Sequence, residues 1–315
     1  MIFEEEYYRA GAPGRINQNG IFLLGPTIME VGTEEQKARF LPPMASSDEV
    51  WCQGWSEPDA GSDLAGIRSR AVRDGEDFVL SGQKTWCSRG AFADGMFGIF
   101  RTDPEAERHR GLAFILVPMS ARGVTVRPLA QLDGETGFAE VFLDDVRVPV
   151  ANVLGEEGRG WSVAMATAGF ERGLSLRSPG RFSATASRLV ELCKRSDGVT
   201  PGTADEVVGA WMDSEAYRLQ TWWTVTRLMQ GGSIGAEASL NKFFWSEMDL
   251  AMHDAALKLL GPSGLLMPGA PAAVDDGSWL DGFLFAQAGP IYAGTNEIQR
   301  NVIADRVLDL PRGSR

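Results

Sequence analysis

Histidine and cysteine are scarce in this chain of 315 residues, which has 2 histidines and 3 cysteines. A zinc site or a Ser-His-Asp hydrolase therefore has few of the side chains that it needs. The cysteines, Cys52, Cys87 and Cys193, are too far apart for a CxxC site, and their odd number argues against a secreted disulfide framework. We expect reduced thiols and no metal centre.

Long apolar runs and a cationic surface are also lacking. No apolar run reaches the roughly eighteen residues of a membrane span, and the formal net charge of −12 argues against binding to nucleic acid or to an anionic membrane. The first residues, MIFEEEYYRA, are acidic where a signal or transit peptide would be basic. A GxxxxGK[ST] phosphate loop is absent as well. These absences predict a cytoplasmic protein without nucleic-acid or membrane partners.

The chain contains enough apolar residues, 44%, for a sizeable core, and its pattern changes twice along its length. Residues 2–10, 18–31 and 33–41 have helical spacing, and Thr33 with Gln36 forms a capping-box pattern. Between Trp51 and Val150, short β-branched and aromatic runs separated by turn pairs predict an antiparallel sheet or barrel. Apolar residues at helical spacing then predict a bundle of antiparallel helices over residues 159–192, 204–230, 233–261 and 294–308.

Three segments have compositions that point to a ligand site. WCQGWSEPDAGSD, which begins at Trp51, joins an aromatic extended run to a turn of small residues that lets a backbone approach a flat ligand. SGQKTWCSRG, which begins at Ser81, has a similar turn and strand. Taken alone, either segment is more typical of an ordinary β-hairpin edge. The third segment is IYAGTNEIQRNVIADRV, which begins at Ile291.

Together, in this order and at this spacing, the three segments resemble the acyl-CoA dehydrogenase family of flavoproteins. The resemblance implies an α+β multidomain fold with a partial N-terminal helical domain (1–50), a central antiparallel β-domain (51–155) and a C-terminal four-helix bundle (156–315). Relatives normally begin with several more helices, so the resemblance implies a chain that starts inside the first domain, either through a misassigned start or through a truncation that makes it depend on a partner.

The resemblance also implies an activity. Members of the family use FAD to convert an acyl-CoA thioester to the trans-2-enoyl-CoA and pass the electrons to an electron-transfer flavoprotein. A fatty-acyl or steroid side-chain substrate is consistent with this expectation. The alternative is a non-catalytic or half-site subunit of a heteromeric acyl-CoA dehydrogenase. A flavin oxidase or monooxygenase on the same scaffold has no positive feature in this sequence.

The catalytic base is expected at Glu171. Many relatives have a glutamate in a Tyr-Glu-Gly-Thr sequence, where this chain has Tyr292-Ala293-Gly294-Thr295. Isovaleryl- and long-chain acyl-CoA dehydrogenases instead have their base in a Glu-Arg pair on the first bundle helix, and Glu171-Arg172 matches that place. The two differences compensate for each other. The alternative for Glu171 is a surface glutamate paired with an arginine. The resemblance leaves the backbone N–H of Ala293 as a donor to the thioester oxygen.

The remaining site residues follow from the resemblance, residue by residue. The flavin contacts implied are Gln53, Trp55, Ser56, Trp86, Ser88, Thr295 and Glu297, and the substrate contacts implied are Ser62, Phe170 and Arg172. Either tryptophan is also explained by core packing. On the adenine side, Arg195 is the only remnant of the usual Arg-x-x-Phe-Gly stretch, and Lys258 replaces a glutamine. The expected assembly is a homo-oligomer, or a hetero-oligomer with a related subunit.

Overall fold

The computed structural model describes residues 1–171, 178–232 and 234–311, except for the side chain of Glu171. The chain divides into two compact units, one formed by Gly14–Glu171 and the other by Met1–Pro13 together with Arg172–Arg315. The second unit is thus built from both ends of the chain. The sequence-based domain boundaries after residues 50 and 155 remain a prediction.

Helices and strands occupy separate parts of the chain. The helices are α1 (Ile2–Arg9), α2 (Gly25–Val31), α3 (Glu34–Ser46), α4 (Gly160–Glu171), α5 (Pro179–Arg195), α6 (Pro201–Met229), α7 (Ala238–Leu260), α8 (Ser278–Ala286) and α9 (Asn296–Arg306). The strands are β1 (Trp51–Gly54), β2 (Arg70–Asp74), β3 (Asp77–Ser88), β4 (Gly95–Arg101), β5 (Leu112–Pro118), β6 (Val124–Leu129), β7 (Phe138–Pro149) and β8 (Val153–Leu154). This arrangement confirms the predicted α+β class.

The strands form one sheet in the order β6-β7-β3-β2-β4-β5-β8, and β1 pairs with β4. Most pairs are antiparallel, as predicted, whereas β1 runs parallel to β4 and β2 meets β4 in parallel at the single pair Arg70 and Arg101. Strands β4 and β5 are buried along nearly their whole length. They are therefore continuous apolar runs rather than alternating ones, as is usual for strands covered on both faces.

Two buried amides attach the first helices of the Gly14–Glu171 unit to the sheet. Asn17 donates to the carbonyls of Met44 and Glu49 and accepts from the N–H of Trp51, all within 3.0 Å. The predicted capping box at Thr33 is present. Its partner Gln36 also donates through Nε2 to the carbonyls of Ala151 and Val153, at 2.8 and 2.7 Å. One side chain thus caps α3 and holds the chain where it leaves the sheet.

Replacing Gln36 tests this double role. The Gln36→Leu variant is expected to lose about 1–3 kcal/mol of unfolding free energy, because buried carbonyls are left without a donor. Urea unfolding followed by tryptophan fluorescence measures the loss. Glu34→Gln is the control, since Glu34 is exposed on the same helix and a surface change of this kind is expected to stay within about 0.5 kcal/mol. Equal midpoints for the two variants would contradict the role given to Gln36.

The second unit is a helical bundle around α7, which contacts α5, α6, α8 and α9. Its core includes Phe182, with its ring centroid 5.4 Å from that of Tyr217 and 6.0 Å from that of Trp245. Helix α1 packs on α5 so closely that a Cβ at Gly180 would lie 2.8 Å from the carbonyl oxygen of Glu4. The described part of the bundle therefore includes α5 to α9 together with the first helix of the chain.

The structure differs from the sequence-based segments in two places. The segment 159–192 is two helices, α4 and α5, and they belong to different compact units. Helix α8 begins just after a Gly/Pro-rich stretch, Gly261 to Asp276, whose composition predicts a loop between bundle helices. It has no counterpart among the predicted helices. The three cysteines are free thiols, as expected.

Candidate active site

The first flavin segment begins with β1 and continues into a tight turn. Trp55, directly after β1, is 7% exposed and packs edge-on against Phe97 and Phe114, with centroids 6.4 Å away in both cases. Its indole Nε1 is buried and has no hydrogen-bond partner among the residues that the structure describes. Trp55 is therefore a core side chain in this structure, which favours the core-packing interpretation, and its role in cofactor binding remains a prediction.

A buried ion pair joins Glu57 of this segment to Lys84 of β3. The sequence analysis did not predict it. The ammonium of Lys84 is 2.7 Å from a carboxylate oxygen of Glu57 and also donates to the carbonyl of Ile99 at 2.8 Å. Glu57 accepts in addition from the N–H groups of Arg68 and Ser69. The signal available in the sequence was Lys84 within a predicted strand, because a lysine that is buried there requires a partner of opposite charge. The pair fixes the turn after Trp55, whose carbonyl oxygen is 3.4 Å from Lys84 Nζ.

Both members of the pair have shifted pKa values. Burial lowers the pKa of Lys84, and the attraction of Glu57 offsets only part of this effect. Burial also opposes the charged form of Glu57, but the neighbouring Lys84 and the hydrogen bonds that Glu57 accepts hold its pKa below the usual value. We therefore treat the pair as charged and mutually dependent.

Trp86 differs from Trp55 in being exposed. Its side chain is 62% exposed, its backbone φ is +56°, and its ring meets Phe138 edge-on at 6.1 Å. The pairing of β3 with β7 shifts register between Lys84 and Cys87, which marks a bulge at this point. Bulges redirect side chains and often lie beside functional sites. A flat, exposed ring on a strained backbone suits a platform for a planar ligand.

Polar groups suited to a ligand surround these segments. Gln53, Ser56 and Ser88 are half-buried, and in the part of the chain that the structure describes their side chains make no hydrogen bond. The backbone joins two of the segments, because the N–H of Thr85 donates to the carbonyl of Ser56 at 2.9 Å. Ser62 is exposed in the turn that follows. The structure therefore brings the β1 turn and the end of β3 together.

Helix α4 carries the expected base at its last position. The helix rests on β5 at Gly160, where a Cβ would lie 2.4 Å from the carbonyl carbon of Ala113. It is joined to α2 by a 2.9 Å hydrogen bond between the hydroxyls of Thr167 and Thr27. Phe170 is half-buried. The side chain of Glu171 and the whole of Arg172 lie outside the described residues, so their roles stay predictions.

The expected backbone donor and the last expected flavin contacts lie just before and at the start of α9, in the unit formed by both ends of the chain. Ala293 has φ +56° and Gly294 has φ +81°. Within the described residues the N–H of Ala293 has no acceptor. Thr295 is the N-cap of α9 and accepts from the N–H of Ile298, as predicted. Glu297 is exposed, and hydrogen bonds to its own N–H and to Thr295 lower its pKa. The turn thus presents a free backbone donor at a strained position.

The cations on the adenine side are already paired within the chain. Arg195 binds Asp275, which also accepts from the indole of Trp279. Lys258 Nζ lies 2.9 Å from carboxylate oxygens of both Glu206 and Asp254. These residues therefore fit a cofactor pyrophosphate poorly, in contrast to the residues around Trp86, which fit a planar ring.

The described ranges contain no cluster of three or more His, Cys, Asp or Glu side chains arranged for a metal ion. None of their helices is both long and apolar enough to cross a membrane.

Three family profiles match the chain in succession. The acyl-CoA dehydrogenase N-terminal domain matches residues 1–48, the middle domain matches residues 52–146, and the C-terminal domain matches residues 158–308. All three profiles belong to the same family.

Individual relatives agree with the profiles. Acyl-CoA dehydrogenase IpdE1 of Mycobacterium tuberculosis is 40% identical over 316 residues, which cover 99% of this chain and 80% of the relative. The solved Tcur3481-Tcur3483 steroid ACAD is 32% identical with a TM-score of 0.91, and the match covers 99% of this chain and 81% of the chain in that structure. The ChsE4-ChsE5 complex from Mycobacterium tuberculosis is 33% identical with a TM-score of 0.87, and the match covers 99% of this chain and 82% of the chain in that structure. The chain therefore belongs to the acyl-CoA dehydrogenase family and is an oxidoreductase that acts on acyl-CoA.

Proposed function

We propose that the chain catalyses the α,β-dehydrogenation of an acyl-CoA thioester to the trans-2-enoyl-CoA, with FAD as its cofactor and an electron-transfer flavoprotein as its partner. The observation that carries the proposal is the left-handed Ala293, whose N–H has no acceptor among the described residues. A preorganised donor of this kind stabilises charge that develops on a carbonyl oxygen. Hydrogen bonding to the thioester oxygen makes the neighbouring α proton more acidic.

Glu171 is our candidate for the general base. Ala293 occupies the position where many relatives have the catalytic carboxylate, and a methyl side chain accepts no proton. Glu171 ends α4 in an apolar stretch that includes Phe170. A general base works best when its pKa lies near the operating pH.

FAD, when bound, would supply the acceptor for the β hydrogen, which leaves the substrate as a hydride. The residues proposed to hold its ring are Trp86, with its exposed indole, and the half-buried Gln53, Ser56 and Ser88. Thr295 and Glu297 contribute from the start of α9, and Ser62, Phe170 and Arg172 are proposed to contact the substrate. Similarity to the solved Tcur3481-Tcur3483 steroid ACAD makes a steroid-linked acyl group one candidate substrate.

A second candidate function is supported by the paired cations on the adenine side. Arg195 with Asp275, and Lys258 with its two carboxylates, leave this bundle poorly equipped for a pyrophosphate. In this alternative the chain is one subunit of a heteromer and a related chain supplies the missing contacts. Two of the similar solved structures, Tcur3481-Tcur3483 and the ChsE4-ChsE5 complex, are each named for two proteins, which is consistent with such an assembly.

The visible spectrum of the purified chain distinguishes the two functions. A chain that holds FAD by itself is yellow, and acyl-CoA bleaches it under anaerobic conditions. A half-site subunit is colourless alone and gains flavin only when it is mixed with its partner subunit. Protein that stays colourless with FAD and with the partner would contradict both functions.

An exposed apolar face on α6 predicts self-association or association with a related subunit. Val208, Trp211, Met212, Leu219 and Trp223 lie at helical spacing on one side of the helix, and each is at least 46% exposed. Glu215, which is paired with Arg218, lies between Met212 and Leu219 on this side. Exposed apolar clusters rimmed by polar residues often mark a contact with another chain. We expect light scattering to find a dimer or tetramer.

The variant Met212→Asp/Leu219→Asp tests this face. It places two charges within the apolar stripe, so we expect it to be a monomer. Lys194→Asp, on an exposed part of α5, is the control and is expected to keep the native mass. A wild-type monomer that retains FAD would contradict the proposed interface.

A further inference from the structure

A buried polar cluster ties the first turn of α9 to α7. The side-chain oxygen of Asn296 accepts from Lys242 Nζ at 2.8 Å and from Ser246 Oγ at 3.1 Å, while its Nδ2 donates to Glu247 at 2.6 Å. Lys242, Ser246 and Asn296 are each at most 2% exposed. Lys242 and Ser246 lie four residues apart and therefore share one face of α7. The amide of Asn296 is thus held through both of its polar atoms.

The buried side chain of Gln299 also holds the turn that precedes α9. Gln299 is fully buried, and its Nε2 donates to the carbonyl oxygens of Ala293 and Gly294, each at 3.1 Å. A Cβ at Gly294 would lie 2.6 Å from this nitrogen, so the contact requires glycine. The N–H of Asn296 also closes the turn by donating to the carbonyl of Pro290 at 2.8 Å. Two successive peptide groups are therefore fixed directly after the Ala293 N–H.

The left-handed conformation of Ala293 needs such support. A residue with a Cβ adopts a positive φ at an energetic cost, and surrounding contacts must hold it there. The direction of the Ala293 N–H depends on this conformation. The N–H itself has no acceptor among the described residues. On its upstream side the N–H of Tyr292 donates to the carbonyl of Ala288 at 3.0 Å, and on its downstream side the contacts are those of Gln299 and, through the start of α9, those of Asn296.

We propose that Gln299 and Asn296 are positioning residues that aim the Ala293 N–H at the thioester carbonyl, with Lys242 acting through Asn296. This inference rests on the proposed function. It deepens that function by assigning the orientation of the backbone donor to side chains that do not touch the substrate.

The test compares two CoA ligands on the flavin-loaded protein by calorimetric titration. Acetoacetyl-CoA has a thioester carbonyl, whereas S-butyl-CoA has the same chain length without one. In the Gln299→Leu variant we expect the affinity for acetoacetyl-CoA to fall by about fivefold or more, as for the loss of a hydrogen bond between neutral groups. The affinity for S-butyl-CoA is expected to change less than about twofold, since that ligand makes no such bond. Asn296→Ala is expected to act in the same direction.

Gln287→Leu is the matched control, because Gln287 donates only a 3.5 Å bond to its own helix and is exposed. It is expected to leave both affinities unchanged. An equal loss for both ligands in Gln299→Leu, or no loss for either, would overturn the positioning role while leaving the proposed reaction intact. Wild-type protein that binds acetoacetyl-CoA no better than S-butyl-CoA would instead overturn the donor role of Ala293, and the positioning role with it.

Discussion

Glu171→Gln is expected to keep its flavin but to lose flavin reduction by acyl-CoA by a factor of about 10²–10⁴, the usual contribution of a general base. Glutamine has nearly the shape of glutamate and does not accept the α proton. The measurement is the rate of anaerobic bleaching in a stopped-flow spectrometer. Glu156→Gln is the control, because Glu156 is exposed and precedes α4, and we expect it to react at the wild-type rate.

A second carboxylate position gives an independent check. The double variant Glu171→Gln/Ala293→Glu places a carboxylate where other members of the family have theirs, and we expect it to recover part of the lost rate. Near-normal flavin reduction by Glu171→Gln alone would rule out Glu171 as the base.

Lys84→Met is expected to lose about 3–5 kcal/mol of unfolding free energy, because it leaves the buried carboxylate of Glu57 without its cation. Both side chains are at most 8% exposed, so water replaces little of the lost interaction. Urea unfolding monitored by tryptophan fluorescence measures the change. Lys37→Met is the matched control, since the pair of Lys37 with Glu34 is exposed on the glutamate side and is expected to contribute about 1 kcal/mol or less.

The double variant Glu57→Met/Lys84→Met separates charge burial from packing. Replacing both charges by apolar groups is often close to neutral, so we expect the double variant to be more stable than Lys84→Met. If Lys84→Met loses no more than Lys37→Met, the ion pair does not stabilise the unit.

Sequence patterns predicted most of the secondary structure because local spacing determines which face of an element is buried. Thr33 and Gln36 gave the start of α3, and the turn pairs gave the strands of the sheet. Helix α8 was missed because its apolar run directly follows a Gly/Pro-rich stretch. The apolar spacing continues across residues 159–192 and so predicted one helix. Pro179, at the first position of α5, is the signal in the sequence for a second helix.

The candidate site was predictable only where a motif identifies a residue. Thr295 was expected as an N-cap and is one. The exposure of Trp86 arises from a register shift against β7, which no local pattern encodes, and the burial of Trp55 arises from contacts with Phe97 and Phe114 on other strands. The pairing of Lys84 with Glu57, and the attachment of Asn296 to α7, join residues distant in sequence. The sequence shows that these residues are charged or polar, but it does not show which residues they contact.

The packing of α1 on α5 has a consequence for the order in which the protein folds during synthesis. Residues 2–9 meet a helix that begins at Pro179, so α1 emerges from the ribosome long before its binding surface exists. The Gly14–Glu171 unit is fully translated before α5. It is therefore able to fold first, since domains fold as units while the chain is made. Helix α1 therefore joins late, and protease sensitivity of nascent chains near Arg9 is expected to persist until α5 and α6 have been translated.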